Sequence, residues 1–191
     1  MSETGKDASN VVVTSKIDPK FKYEMAAMPG AERISLCYQC GTCTADCAVA
    51  RFSDFYKPRK IARMVQFGLK DRLLSNNALW LCTTCFTCID HCPQNVEVSS
   101  IVRALRNISV REKGLMPLVF ESFASNILKT GYVYMIPESR HKRREEQGLP
   151  SLPKPMLEQV AKIFEATGFS RTLESVETFE KVEARAGDQR G

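Results

Sequence analysis

The sequence lacks any apolar run near the roughly 18 residues that a membrane-spanning helix needs. Its nearest approach, Leu115 to Phe120, is broken by Pro117. A glycine-rich nucleotide fingerprint is also missing, which argues against a flavin or nicotinamide site in this chain. Histidine occurs only at His91 and His141, and tryptophan only at Trp80. Residues 1–16 are polar apart from Val11 to Val13 and do not read as a secretion leader. A cytoplasmic, reducing setting is expected, and structural disulfides are not. Cysteine is missing from the first 36 residues and from everything after Cys92.

What is present is concentrated. All eight cysteines fall in two runs, Cys37, Cys40, Cys43, Cys47 and Cys82, Cys85, Cys88, Cys92. Both have the form C-x2-C-x2-C-x3-C, and Pro93 follows the second. This is the spacing of a pair of 4Fe–4S clusters in bacterial ferredoxins. Thiolates two residues apart do not share one face of a helix, whose neighbours stand three or four apart. The segment must curl, and Gly41, Thr42, Thr83 and Thr84 are small residues suited to the curl. A helical turn after Cys43 and after Cys88 would carry the fourth thiolate away from its own loop. In two-cluster ferredoxins that fourth cysteine ligates the other cluster. The expected sets are therefore Cys37, Cys40, Cys43, Cys92 and Cys82, Cys85, Cys88, Cys47. Zinc knuckles would need only paired cysteines, four thiolates per ion, and leave the third cysteine of each run unexplained. Clusters that merely staple the fold are the other structural reading.

Lysine and arginine exceed aspartate and glutamate by five. Two oxidised clusters with four thiolates each would bring about −4, so the basic excess has an internal use. It is poor support for nucleic-acid binding. His91 lies between two cysteines, and a role near the cluster or at the surface is favoured over ligation. His141 sits in the basic run Arg140 to Arg144, a solvated charge cluster or a dock for an acidic partner.

The fold class expected is mainly α. Residues 1–16 read as a disordered tail, 17–135 as the cysteine-bearing domain, and 136–191 as a C-terminal arm that packs on the core or on a neighbouring subunit. Asp18 and Pro19 open a helix with Phe21, Met25 and Met28 on one face, ended by Pro29-Gly30. Ala31 to Leu36 delivers Cys37, and Arg51 to Tyr56 is a connector. Pro58 begins an amphipathic helix with Ile61, Met64, Val65 and Leu69 inward. Leu73 to Leu81 leads into the second run, with Trp80 as a core or cluster-shielding residue. Val98 to Arg111 is a second amphipathic helix. Cys82 follows Cys37 by 45 residues, and each run precedes a helix with a central arginine, Arg63 or Arg103. A pseudo-twofold repeat is expected. Further helices are expected over Pro117–Thr130, Met156–Thr167 and Leu173–Val182. Tyr132 to Pro137 reads as a strand or an extended partner-binding segment, residues 148–155 as irregular, and the last eight residues as frayed.

The runs CYQCGTCTADC and CTTCFTCIDHCP, separated by a segment containing PRKIARM, resemble the C subunit of heterodisulfide reductase. The likeness covers roughly residues 30 to 135. It implies an α-helical ferredoxin fold with two 4Fe–4S clusters on the eight cysteines. It implies a non-catalytic relay that passes electrons from a flavin-containing A subunit to a catalytic B subunit. That B subunit reduces the coenzyme M–coenzyme B heterodisulfide of methanogenesis. A hydrogenase or formate dehydrogenase would join in the larger complex. Related modules serve succinate dehydrogenase, fumarate reductase, hydroxy-acid and glycerol-3-phosphate dehydrogenases, and sulfur-oxidising complexes. The missing N-terminal cysteines argue against the succinate dehydrogenase type. An assembly protein with structural clusters is the reading from another class.

Overall fold

The computed structural model describes residues 14–182. Residues 1–13 of the expected N-terminal tail and the frayed end lie outside these residues, whereas Thr14–Lys16, expected as part of that tail, form a 3-10 turn closed by the Ile17 N–H on the Thr14 carbonyl. The chain divides between Ile108 and Ser109 into two compact units. The fold is mainly helical, as the sequence predicts.

In the first unit α1 (Phe21–Ala26) precedes a 3-10 turn, Ile34–Leu36. Next come α2 (Thr42–Ala45), α3 (Ala48–Phe52), α4 (Pro58–Gln66) and α5 (Lys70–Leu74). Another 3-10 turn, Asn77–Leu81, leads to α6 (Thr87–Asp90) and α7 (Val98–Ile108). Asp18 does not cap α1 as expected: Lys20 holds the cap position without a side-chain bond, and Asp18 and Pro19 lie in the turn before the helix. The Asp18 Oδ1 accepts from the Lys20 N–H at 2.9 Å, and its carbonyl accepts from the Phe21 N–H. Pro58 stands in the first turn of α4, where its missing N–H costs nothing. The connector expected from residue 51 begins inside α3. That helix opens at Ala48.

The core of this unit joins α1, α4, α5 and α7 through Phe21, Met25, Val65, Leu73, Leu74, Ile101 and Leu105, all essentially inaccessible. Each such side chain contributes about 1.5–3 kcal/mol relative to exposure. The helices α4 and α7 match position by position, 40 residues apart. Ile61 and Ile101, Ala62 and Val102, and Val65 and Leu105 are buried; Arg63 and Arg103 are exposed; Gln66 and Arg106 are half-buried. After α4 the chain turns at Gly68, with φ +68°. A Cβ there would lie 2.0 Å from the Asp18 carbonyl oxygen, so only glycine fits.

The second unit begins with a π-turn, Ser109–Lys113. It then holds β1 (Leu115–Met116), α8 (Leu118–Thr130), α9 (Glu138–Glu146), α10 (Leu157–Ala166), α11 (Phe169–Ser175) and β2 (Glu177–Thr178). The two strands pair in parallel, Leu115 with Glu177 and Met116 with Thr178. The helix expected over 173–182 is corrected. Residues 173–175 close α11, residues 177–178 break the helix to pair with β1, where the Glu177 N–H donates to the Gly114 carbonyl at 2.7 Å, and helical residues resume over 179–182. Tyr132 to Pro137 forms bends and no strand. Tyr134 there packs edge-on against Phe123 at 5.1 Å. The basic run lies on α9, which has no buried residue and so no apolar periodicity to betray it. Residues 149–156 are irregular, as their prolines predict. Among the described residues no helix is long and apolar enough to cross a membrane.

Candidate metal centre

The two cysteine runs share one backbone course. Cys37 and Cys82 each follow a 3-10 turn in extended conformation. The chain then passes through two left-handed residues, Gln39 and Gly41 in the first run, Thr84 and Phe86 in the second. Each second left-handed residue leads directly into α2 or α6. This curl is the one the spacing requires. Gly41 and Thr84 take part in it, whereas Thr42 starts α2 and Thr83 is not left-handed. Phe86 is unexpected, because a bulky residue at positive φ costs of order 1–3 kcal/mol. The short helices end at Asp46 and His91, and the fourth cysteine of each run comes just beyond.

The buried thiol of each run lies close to cysteines of both runs. Burial pushes Cys43 up to about 11, helped by the negative charge of Cys37, Cys40 and Cys92. Burial likewise pushes Cys88 up to about 11, with Cys82, Cys43 and Cys85 adding to it. A cavity is lined by Cys47, Cys82, Cys85 and Cys88 together, with Ala48 and Val49 of α3, Tyr56 and Ser99 also on its wall. Among the described residues no group of three or more His, Cys, Asp and Glu side chains converges on a single-ion position.

Donors surround the sulfurs. Gln39 Nε2 donates to Cys37 Sγ at 3.2 Å, and the Val96 N–H donates to Cys92 Sγ at 3.2 Å. Cys40 shares a hydrogen bond with Thr42 Oγ1, and Cys85 with Thr87 Oγ1, each at 3.5 Å. These threonines hold both thiols below their ordinary value. Tyr56 is buried, and desolvation together with a hydrogen bond to Cys82 raises its hydroxyl far above the usual range. Cysteine sulfurs gathered in partly buried loops, with donors aimed at them, are what a 4Fe–4S cluster requires, so the residues present fit the group.

Beyond the sulfurs, α4 and α7 clamp the loops. Gln66 Nε2 donates to the carbonyls of Ile34 and Cys37 at 3.2 and 2.9 Å. Arg106 donates to the Leu79 carbonyl from Nε at 3.0 Å and to the Cys82 carbonyl from Nη2 at 2.6 Å. Spacing of cysteines did not reveal Tyr56, Gln66 or Arg106. The one signal for the last two was their matched place in the repeated helices. Arg63 and Arg103, which the sequence singles out, point to solvent, Arg63 over the Phe67 ring at 4.1 Å. His91 Nδ1 meets Asp46 Oδ2 at 2.7 Å, a pairing outside the thiol sets. Trp80 packs against the core with the Arg106 guanidinium 5.3 Å from its ring centre. Lys57, Arg59, Lys60 and Arg63 line a groove with Tyr38 beside the first run.

Helical loops with this donor set define an iron–sulfur protein, and a family model for a 4Fe–4S dicluster domain matches residues 33–96. The C subunit of the H2:CoB-CoM heterodisulfide,ferredoxin reductase of Methanothermobacter thermautotrophicus is 35% identical over 170 residues, 86% of this chain and 90% of that one. The second iron-sulfur C subunit of the CoB–CoM heterodisulfide reductase of Methanocaldococcus jannaschii is 40% identical over 118 residues, 62% of each chain. A protein of Archaeoglobus profundus, described as like the heterodisulfide reductase C subunit, is 32% identical over 124 residues, 65% of this chain and 64% of that one. The chain belongs to the family of heterodisulfide reductase C subunits.

Proposed function

We propose that this chain is the electron-relay subunit of a heterodisulfide reductase and performs no substrate chemistry itself. It holds two 4Fe–4S clusters, one on Cys37, Cys40, Cys43 and Cys92, the other on Cys82, Cys85, Cys88 and Cys47. Each cluster supplies one-electron transfer when bound. The observation that carries this reading is the cavity lined by Cys47 with the three leading cysteines of the opposite run. The influence of Cys92 on Cys43 supports the reciprocal set. The chain orients the thiolates through left-handed loop residues and lowers the cost of added negative charge through donors to sulfur. It receives electrons from a flavin-containing A subunit and delivers them to a catalytic B subunit, with a hydrogenase or formate dehydrogenase in the larger assembly. The setting is cytoplasmic.

Anaerobic co-purification with a flavin-bearing chain and a second iron–sulfur chain is the test, followed by rapid mixing with each. Flavin-dependent reduction and heterodisulfide-dependent oxidation of the bound iron support the relay. Iron that stays unreduced under strong reductant would assign the clusters a structural role instead.

A further inference from the structure

The repeat is close enough that its departures carry information. Ile34 and Cys37 correspond to Leu79 and Cys82, each pair 45 residues apart, and in each half both carbonyls are held by one side chain. That side chain comes from matched positions of α4 and α7, one turn beyond the exposed arginines. In the first half it is the neutral amide of Gln66. In the second it is the guanidinium of Arg106. The leading cysteines otherwise have comparable sulfur contacts, Gln39 on Cys37 and Tyr56 on Cys82. The clear difference in this inner layer is a fixed positive charge.

From this we infer that the Gln66–Arg106 exchange sets the two clusters at different potentials, the one on Cys82 being the more oxidising. This rests on the two-cluster reading above. A cluster gains one negative charge on reduction, and a nearby cation favours the reduced form. Arg106 is half-buried and stays charged, because guanidinium does not deprotonate in proteins. Burial lowers its pKa, partly offset by Cys82 and Tyr56, without removing the charge. The competing cations are Lys57, Arg59, Lys60 and Arg63 beside the first run. Arg59, Lys60 and Arg63 are exposed, so salt screens them far more than Arg106. Arg106 and Gln66 are positioning residues that act through the loop they hold. Electrons would accordingly run from the Cys37 side to the Cys82 side.

The test is a redox titration of the full-length chain, reconstituted anaerobically with iron and sulfide and followed by electron paramagnetic resonance at low and high salt. Arg106→Gln should make one cluster harder to reduce, its reduced-to-oxidised ratio at the original midpoint falling about tenfold, or about 59 mV for one electron. Arg106→Lys should recover most of the shift, and Gln66→Arg should move the other cluster the opposite way. Both midpoints unmoved in loaded Arg106→Gln protein would overturn the inference. If that variant does not load, Gln66→Arg decides alone, and unmoved midpoints there overturn it equally. A wild-type chain that binds well short of about eight irons would overturn the two-cluster reading instead, whatever the variants do.

Discussion

Asp46 and His91 occupy the same place in the two halves of the repeat, 45 residues apart, and yet touch one another, Oδ2 to Nδ1, at 2.7 Å. Residues related by a twofold operation meet only on its axis. The axis therefore passes beside this pair, and the next residue of each half is the cysteine proposed to cross. Both side chains are substantially exposed, 36% and 51%, so the contact is a surface one. Replacing His91 by alanine should cost less than about 1 kcal/mol and leave iron content unchanged. Thermal unfolding and an iron assay check both. Loss of four irons would make His91 a ligand.

Exchange of the fourth cysteines separates crossed from local ligation. In Cys92→Ser the cluster lost or altered should be the one on Cys37, Cys40 and Cys43, and in Cys47→Ser the one on Cys82, Cys85 and Cys88. Resonance spectra of each variant, compared with Cys40→Ser and Cys85→Ser as references, show which signals pair. Cys92→Ser matching Cys85→Ser would mean that each run serves its own cluster.

Tyr56→Phe removes the hydroxyl beside Cys82 and keeps the buried ring. A donor to thiolate stabilises added negative charge, so one cluster should become harder to reduce while both remain bound. The stability change should stay near 1 kcal/mol. Spectroelectrochemistry gives the first quantity and denaturant unfolding the second.

Gly68→Ala should destabilise the chain by well over about 1 kcal/mol, because the positive φ alone costs about that much. The new methyl group would also meet the Asp18 carbonyl. A lowered unfolding midpoint, with the ratio of the two cluster signals unchanged, is expected. An unaltered midpoint would mean that the turn relaxes freely.

Much of this was legible in the residues themselves. Cysteine spacing is a covalent constraint, so it announced the loops and their repetition. Apolar positions three and four apart in α4 and α7 announced the helices that support them. Tyr56, Gln66 and Arg106 stayed hidden because their roles depend on tertiary approach between segments 24 to 32 residues apart. Phe86 defied local preference, since a tolerant glycine fills the matching position, Gly41. The short parallel strands were equally opaque, because two-residue pairings leave no alternating pattern.

The cysteine loops repeat at an interval of 45 and the supporting helices at 40. The short helix Ala48–Phe52 accounts for those five residues. It lends Ala48 and Val49 to the wall of the cavity shared by Cys47, Cys82, Cys85 and Cys88, and holds Phe52 almost wholly in water, 93% accessible. Within the first unit, two near-copies therefore differ on the outside at one short helix, even where the cysteine loops beneath are alike.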